Sequence, residues 1–242
     1  MAGKKGSAQK SSAKKKSSKK KPPKNGAHLK MAAVVVAIDS NFEPVTEAPF
    51  NFREKNVYPH FDKRGFTIVR CQGHLASRND VAPQVLKSNV VYLTGVGHGF
   101  QDQYTGEGFH PIFSVGHYNA AEAKGKIVHF FSCETAGRLG PDFVANGCRA
   151  YFGYSDIFTY PPGSPETFFD CDSEIDRAFA DGLTAGQVFD RVKALFAKRI
   201  ADLKATGNNG DLFKASILET NLSFLRAPSL GAQYGDPEAK LV

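Results

Sequence analysis

The sequence has 242 residues, of which 41% are hydrophobic and 23% charged, as expected for a globular domain with a sizeable core. Its formal net charge of +7 is unevenly distributed: residues 1–30 contain 11 lysines and no acidic residue, whereas residues 31–242 carry 20 basic against 24 acidic residues. This distribution argues against a general basic groove in the main part of the chain, and no apolar run is long enough for a membrane span or a secretory signal.

Residues 1–30 consist mainly of Lys, Ser, Ala, Gly and Pro. Such a segment buries too little apolar surface to offset its ordering entropy, so we predict a disordered Lys-rich tail over 1–30. The lysines favour contact with nucleic acid or other acidic surfaces, although aromatic residues that stack on bases are absent. A solubilising linker is an equally good interpretation.

Five apolar runs in the remainder predict buried strands, at residues 31–39, 66–71, 90–93, 127–131 and 150–154. Helices are predicted over 51–64, 81–88 and 212–225, with a short helix between Pro141 and Gly147. The capping box Thr184-Ala185-Gly186-Gln187 predicts the start of a further helix that ends near Gly207. Strands that alternate with helices indicate an α/β fold around a mostly parallel sheet.

Two of the predicted strands are followed by residues that carry chemistry. The third strand leads into Gly97-His98-Gly99 and the fourth into Ser132-Cys133. If these strands are parallel neighbours, His98 and Cys133 emerge at one edge of the sheet, where an imidazole can activate a thiol. The amides of Gly99 and Cys133 are candidates for an oxyanion hole.

Other interpretations of these residues are weaker. A single Cys is usually an inert apolar residue, and Cys71, Cys148 and Cys171 have no accompanying motif. A dinucleotide-binding loop needs glycine where Phe100 stands. The cysteines and histidines, including His74, His110 and His117, lack metal-ligand spacing, so we expect no metal and no other cofactor. Free thiols suit a reducing, cytoplasmic location.

The order of these motifs resembles that of caspase-like (clan CD) cysteine peptidases, which include caspases, metacaspases, gingipains and CHAT domains. The segment after Cys133 and the final Tyr234-Gly235-Asp236-Pro237, which follows a helix carrying Asn221, resemble the gingipain and CHAT branch. The resemblance covers residues 31–242 and implies a three-layer αβα sandwich. It also implies that Cys133 is the nucleophile, that His98 transfers protons, and that the amides of Gly99 and Cys133 hold the oxyanion.

The resemblance leaves the cleavage preference open. The chain reads Phe131-Ser132-Cys133 and lacks the Gln with which caspases bind aspartate. Asp156, and secondly Asp39, are candidates to bind a basic substrate side chain. Tyr154, Phe158 and Tyr160 are candidates for an apolar pocket instead.

We therefore expect a cysteine endopeptidase that acts on proteins or peptides, in a regulated pathway of the defence or cell-death type. The alternative is an inactive or zymogen-like interaction module whose basic tail binds acidic partners. An activating protein, or ordering of the segment Phe100 to Asn119, is compatible with either expectation.

Overall fold

The computed structural model describes residues 1–6 and 32–242. The chain divides into two units, residues 1–30 and 31–242. Residues 1–6 are exposed and form no helix or strand. The remainder of the Lys-rich tail lies outside the described residues, so its disorder stays a prediction.

A six-stranded sheet forms the centre of the second unit, with the strand order β2-β1-β3-β7-β8-β9. The first five strands are parallel and β9 is antiparallel to β8. The strands are β1 (Val34–Asp39), β2 (Thr67–Gln72), β3 (Val90–Val96), β7 (Ile127–Phe131), β8 (Ala150–Tyr154) and β9 (Leu225–Arg226). A separate antiparallel sheet contains β4 (Gly99–Phe100), β5 (Gln103–Thr105) and β6 (Pro111–Ser114).

Eight helices connect or cover these strands in the described part of the chain. They are α1 (Pro44–Asn56), α2 (Tyr58–Lys63), α3 (Arg78–Val85), α4 (Ala120–Ala123), α5 (Leu139–Ala145), α6 (Glu166–Ala180), α7 (Ala185–Ala205) and α8 (Asn209–Phe224). In residues 1–6 and 32–242, no helix combines the length and apolar character that crossing a bilayer requires.

Two hydrophobic cores lie on opposite faces of the central sheet. Alternate residues of β1 separate between them, with Val35 and Ala37 in one core and Val36 and Ile38 in the other, as the two-residue period of a strand requires. Helices α1, α2, α6, α7 and α8 contribute to the first core, and α3, α4, α5 and the small sheet contribute to the second. The result is the three-layer αβα arrangement that the resemblance to caspase-like peptidases implies.

The strand order reverses beside β1, because β2 is added on one side of it and β3 on the other. Ligands of open α/β sheets bind outside the carboxyl ends of the strands at such a switch point. Here β1 and β3 approach so closely that a Cβ on Gly95 of β3 would overlap the carbonyl of Ile38 in β1. The residues that follow β1, β3 and β7 therefore meet at one edge.

The predicted elements are largely confirmed, with shifted ends. The side chain of Thr184 caps α7 by accepting a hydrogen bond from the Gln187 amide at 3.4 Å, and the Thr184 amide donates to the Gln187 side-chain oxygen at 3.0 Å. Helix α1 begins at Pro44, seven residues before the predicted start. Prolines at 44 and 49 argue against a helix, but Pro44 occupies the first helical position, where its missing N–H has no intrahelical partner to lose.

Candidate active site

Cys133 lies in a tight turn directly after β7. The Thr135 amide donates to the Cys133 carbonyl at 2.6 Å, and Glu134 has a φ of 58°, which is uncommon outside glycine. Two further bonds hold this nucleophile turn (residues 132–136) against the end of β8: the Glu134 amide donates to the Asp156 carbonyl at 3.2 Å and the Ala136 amide donates to the Tyr154 carbonyl at 3.0 Å. The turn is thus fixed at the carboxyl edge of the sheet.

The Cys133 thiol is partly buried. Burial raises its pKa above the usual thiol value, the backbone N–H of Phe158 partly opposes that rise, and the charges of Glu134 and Asp156 add to it. The neutral thiol is therefore the resting form near neutral pH. A nucleophile in this state needs a base that accepts its proton during attack.

His98 follows β3 and is oriented by a carboxylate. Its Nε2 is hydrogen-bonded to Glu43, the residue immediately before α1. A carboxylate can only accept a hydrogen bond, so Nε2 carries the proton in this pair. In the neutral ring Nδ1 then has the free lone pair and can act as a base.

Two aromatic rings fix the plane of the His98 imidazole. Phe109 stacks on it with a centroid distance of 4.6 Å, and Phe42 packs edge-on against Phe109 at 5.0 Å. Phe109 has a φ of 64°, a strained conformation for a bulky residue. Strain of this kind persists only where the surroundings enforce it, and often at functional sites.

His98 and Cys133 line the same small cavity, which has a volume of about 40 Å³. The structure therefore brings the two predicted catalytic residues together. We call this cavity the slot. Its other lining residues are mainly apolar: Val45, Thr46, Pro49, Val96, Gly97, Phe131, Ser132, Phe158 and Tyr160.

The backbone at Gly99 lies directly against the nucleophile turn, because a Cβ there would overlap the Cys133 carbonyl. The Thr105 amide donates to the His98 carbonyl at 2.9 Å, so these two residues form a hydrogen-bonded pair of the antiparallel ladder. The next pair, Gly99 and Tyr104, is then a non-hydrogen-bonded pair. The Gly99 amide therefore points away from β5. In residues 32–242, the Cys133 amide donates to no backbone carbonyl. Both amides therefore stay candidates for an oxyanion hole.

The five residues predicted to bind substrate lie in different surroundings, and Tyr160 is one that lines the slot. Phe158 lines the slot, whereas the buried Tyr154 donates its hydroxyl to Asp172 at 2.9 Å. Asp156 is exposed and accepts from the Ile157 amide at 2.7 Å. Asp39 is fully buried, accepts from the Val96 amide at 3.0 Å and is not accessible to a substrate.

A buried polar cluster fills the layer between the sheet and α6. Arg53 donates to Asp176 at 2.8 Å and to Thr94 at 2.6 Å, and its Nε lies 3.6 Å from Asp39. His129 bridges Asp172 at 3.3 Å and Asp176 at 3.2 Å. His129, inside strand β7, is thus a hydrogen-bonded core residue.

The charges of this buried polar cluster compensate one another. Burial alone would lower the pKa of His129, but Asp172 and Asp176 raise it to about 9. For Asp176, burial raises the pKa, yet Arg53 and His129 together hold it well below the usual range. Near neutral pH the cluster therefore contains ion pairs, which explains why these charges are tolerated in the core.

Sequence reasoning missed Glu43 and the buried polar cluster. The Glu43–His98 pair joins residues 55 positions apart, which no local pattern signals. For the cluster a signal exists: Asp172 and Asp176 are four residues apart in helix α6, and that spacing puts both carboxylates on one face.

Among the described residues, no group of three or more His, Cys, Asp or Glu side chains is arranged to hold a metal ion.

Comparison with solved structures shows a similar fold in gingipain R, an Arg-specific cysteine proteinase. The two share 12% sequence identity and a TM-score of 0.54, over 87% of this chain and 47% of the other. This chain thus spans about half the length of that structure. No protein-family model and no curated protein matches the sequence. The likeness shows the caspase-like fold, with its six-stranded, mostly parallel sheet, and confirms that prediction.

Proposed function

We propose that this chain is a cysteine endopeptidase in which Cys133 is the nucleophile and His98 the proton-transfer group. The observation that carries the proposal is that Cys133 and His98 line the same slot and that Nε2 of His98 is bonded to Glu43. The fold shared with a cysteine proteinase supports hydrolysis of peptide bonds. Protein or peptide chains are then the substrates.

The geometry supports a two-step reaction. As the sulfur of Cys133 attacks the carbonyl carbon, its proton passes to Nδ1 of His98, and the amides of Gly99 and Cys133 receive the negative oxygen. The imidazolium, stabilised by Glu43, then protonates the leaving amine as the C–N bond breaks. Water then attacks the remaining thioester as His98 accepts its proton, the C–S bond breaks, and His98 returns that proton to the departing sulfur of Cys133.

Replacement of the thiol tests this proposal. We expect Cys133→Ala to lower turnover of a peptide library by about a thousandfold or more, because covalent catalysis is lost. His98→Ala should lower it strongly while leaving the thermal unfolding midpoint close to wild type, since His98 lies at the edge of the sheet. Mass spectrometry of the cleavage products provides the measurement.

Cys71→Ala is the matched control, because Cys71 lies on β2 outside the slot, and it should retain wild-type cleavage. Equal cleavage by wild type and Cys133→Ala would remove the assignment.

A zymogen-like or inactive interaction module is the second candidate. The raised pKa of the Cys133 thiol and the small volume of the slot favour it, since both describe a site that is not fully open. An activating protein would then widen the slot. Cleavage by the full chain alone would count against this candidate, whereas cleavage that starts only after a second protein is added would support it.

A regulated pathway of the defence or cell-death type also stays part of the proposal. It rests on the resemblance of the sequence motifs to caspase-like peptidases. The same holds for contact of the Lys-rich tail with acidic surfaces.

A further inference from the structure

We infer that the substrate residue whose carbonyl is attacked carries an uncharged, apolar side chain, which runs along the slot into an adjoining apolar trough. This inference rests on the proposed peptidase function and specifies its substrate class. It differs from the arginine specificity stated for gingipain R. It is drawn from the apolar walls beside Cys133, from their hydrogen bonds and from the positions of nearby charges.

The walls of the slot are apolar, with Val45 and Pro49 from α1, Val96 from β3, and Phe131 and Phe158 from β7 and the loop after β8. Phe131 and Phe158 pack edge to face at 4.7 Å, which fixes that side. A side chain that enters here exchanges water for hydrocarbon contacts. That exchange favours apolar groups in proportion to the area they bury.

The polar groups of these walls are already bonded within the protein. Pro49 has no N–H to give to the carbonyl of Val45, and the hydroxyl of Tyr160 donates to that carbonyl at 2.9 Å instead. Thr46 donates its hydroxyl to the Glu43 carbonyl at 3.2 Å. A charged substrate group would therefore be desolvated without gaining an oppositely charged partner.

No carboxylate belongs to the described lining of the slot. Glu43 is engaged by His98, and Glu134, whose charge acts on the Cys133 thiol, is outside the lining. Asp156 is exposed outside the lining, and Asp39 is buried beside Arg53. An arginine or lysine side chain would meet no free acid in the slot.

The trough is a second cavity, of about 520 Å³, that shares Val45, Phe158 and Tyr160 with the slot. Its further walls are Pro44, Ala48, Ile157, Thr159, Pro162 and Pro165. Val45 and Ile157 are 55% and 58% exposed, so the apolar surface is open to solvent. A concave apolar surface continuous with a reactive thiol is suited to hold a side chain longer than the slot accommodates.

Peptidyl acyloxymethyl ketones test the inference, because they alkylate an active cysteine and can be made identical except for the residue next to the ketone. We expect the Leu and Val probes to label Cys133 of the full chain at least about tenfold faster than the Arg, Lys and Asp probes, since the charged side chains lose hydration without compensation. Intact-mass and peptide mass spectrometry give the rates and the modified residue.

Fastest labelling by the Arg, Lys or Asp probe would overturn the inference and leave the peptidase proposal standing. Failure of all probes, with iodoacetamide still modifying Cys133 in the folded protein, would overturn both.

A substitution in the trough provides a second readout. Ala48 is half-buried on α1 and belongs to the trough but not to the slot. Ala48→Glu places a carboxylate on the wall, so we expect the ratio of Arg to Leu labelling rates to rise by about tenfold. Ala48→Gln is the matched control of equal size without charge and should retain the wild-type order of probes. An unchanged ratio in Ala48→Glu would show that the side chain lies elsewhere and overturn its assignment to the trough.

Discussion

The imidazole of His98 is held from two directions, by the carboxylate of Glu43 at Nε2 and by the ring of Phe109 on its face. The first contact fixes which nitrogen carries the proton, and the second fixes the plane of the ring. Because Glu43 stands immediately before α1, its backbone position follows from the start of that helix. In the proposed reaction Glu43 is a positioning residue, since it acts through His98.

We expect Glu43→Gln to lower kcat/KM of peptide cleavage by about ten- to a hundredfold, because an amide can still bond to Nε2 but no longer stabilises the imidazolium. The loss should appear mainly in kcat. Glu47→Gln is the matched control, as Glu47 is an exposed acid in the first turn of the same helix, and it should stay within about twofold of wild type. Equal losses in both variants would contradict a specific role for Glu43.

At the scale of elements, the site depends on close approaches of backbone. Gly95 lets β3 lie against β1, and Gly99 lets β4 lie against the nucleophile turn. The first approach belongs to the central sheet and the second to the active-site edge. The two glycines therefore have separable consequences.

Gly95→Ala should lower the free energy of unfolding by roughly 1–3 kcal/mol or more, because the added methyl group overlaps the Ile38 carbonyl inside the sheet. Gly99→Ala should lower peptide cleavage more than stability, since its methyl group would displace the Cys133 carbonyl and with it the oxyanion donors. Urea unfolding and steady-state kinetics measure the two effects.

The control is Gly210→Ala in α8, where a Cβ meets no atom closer than 3.5 Å. It should leave cleavage unchanged and raise stability by up to about 1 kcal/mol. Unfolding of Gly99→Ala as severe as that of Gly95→Ala would contradict the separation.

Long apolar runs are the elements that the sequence specifies best. The runs 127–131 and 150–154 are strands with the predicted bounds, because a strand buried on both faces has to be apolar throughout. Strands β4, β5 and β6 have two to four residues each, too few for a periodic pattern. The early start of α1 is not predicted because Pro44 and Pro49 usually interrupt helices. In the structure, the Val45 carbonyl that Pro49 leaves without a helical donor accepts a hydrogen bond from Tyr160.

The candidate site likewise contains some residues that the sequence predicts and others that it does not. His98 and Cys133 are predictable because each follows a recognisable strand of a parallel sheet. Glu43 and the apolar walls around Tyr160 depend on contacts between distant segments, which exist only once the layers are assembled. The charge of Asp156 is visible in the sequence, but its exposure is a property of the folded loop.

For the whole molecule, the buried polar cluster couples the central sheet to helix α6 and makes stability depend on pH. His129 has a folded-state pKa of about 9 against an ordinary value of 6.5. It faces Asp172 and Asp176, with Arg53 and Tyr154 bonded to the same carboxylates. Protonated His129 therefore stabilises the folded state, and that contribution is complete below pH 6.5.

We expect the free energy of unfolding to fall as the pH rises from 6.5 through 9, by about 3 kcal/mol in all, because the folded state retains the His129 proton that the unfolded chain releases. His129→Gln should be less stable at pH 6 and lack this slope. Urea unfolding at a series of pH values measures both. His117→Gln, at an exposed position, should retain the wild-type slope, and a flat wild-type profile would contradict the charged state of His129.

The turn that carries the sulfur is bonded to the carbonyls of Tyr154 and Asp156, and the N–H of Phe158 acts on the sulfur itself. Phe158 is also a wall shared by the slot and the trough. We expect a bound side chain that displaces Phe158 to displace the backbone next to Cys133 as well. In the proposed peptidase, substrate binding and thiol reactivity are therefore coupled through residues 154–158.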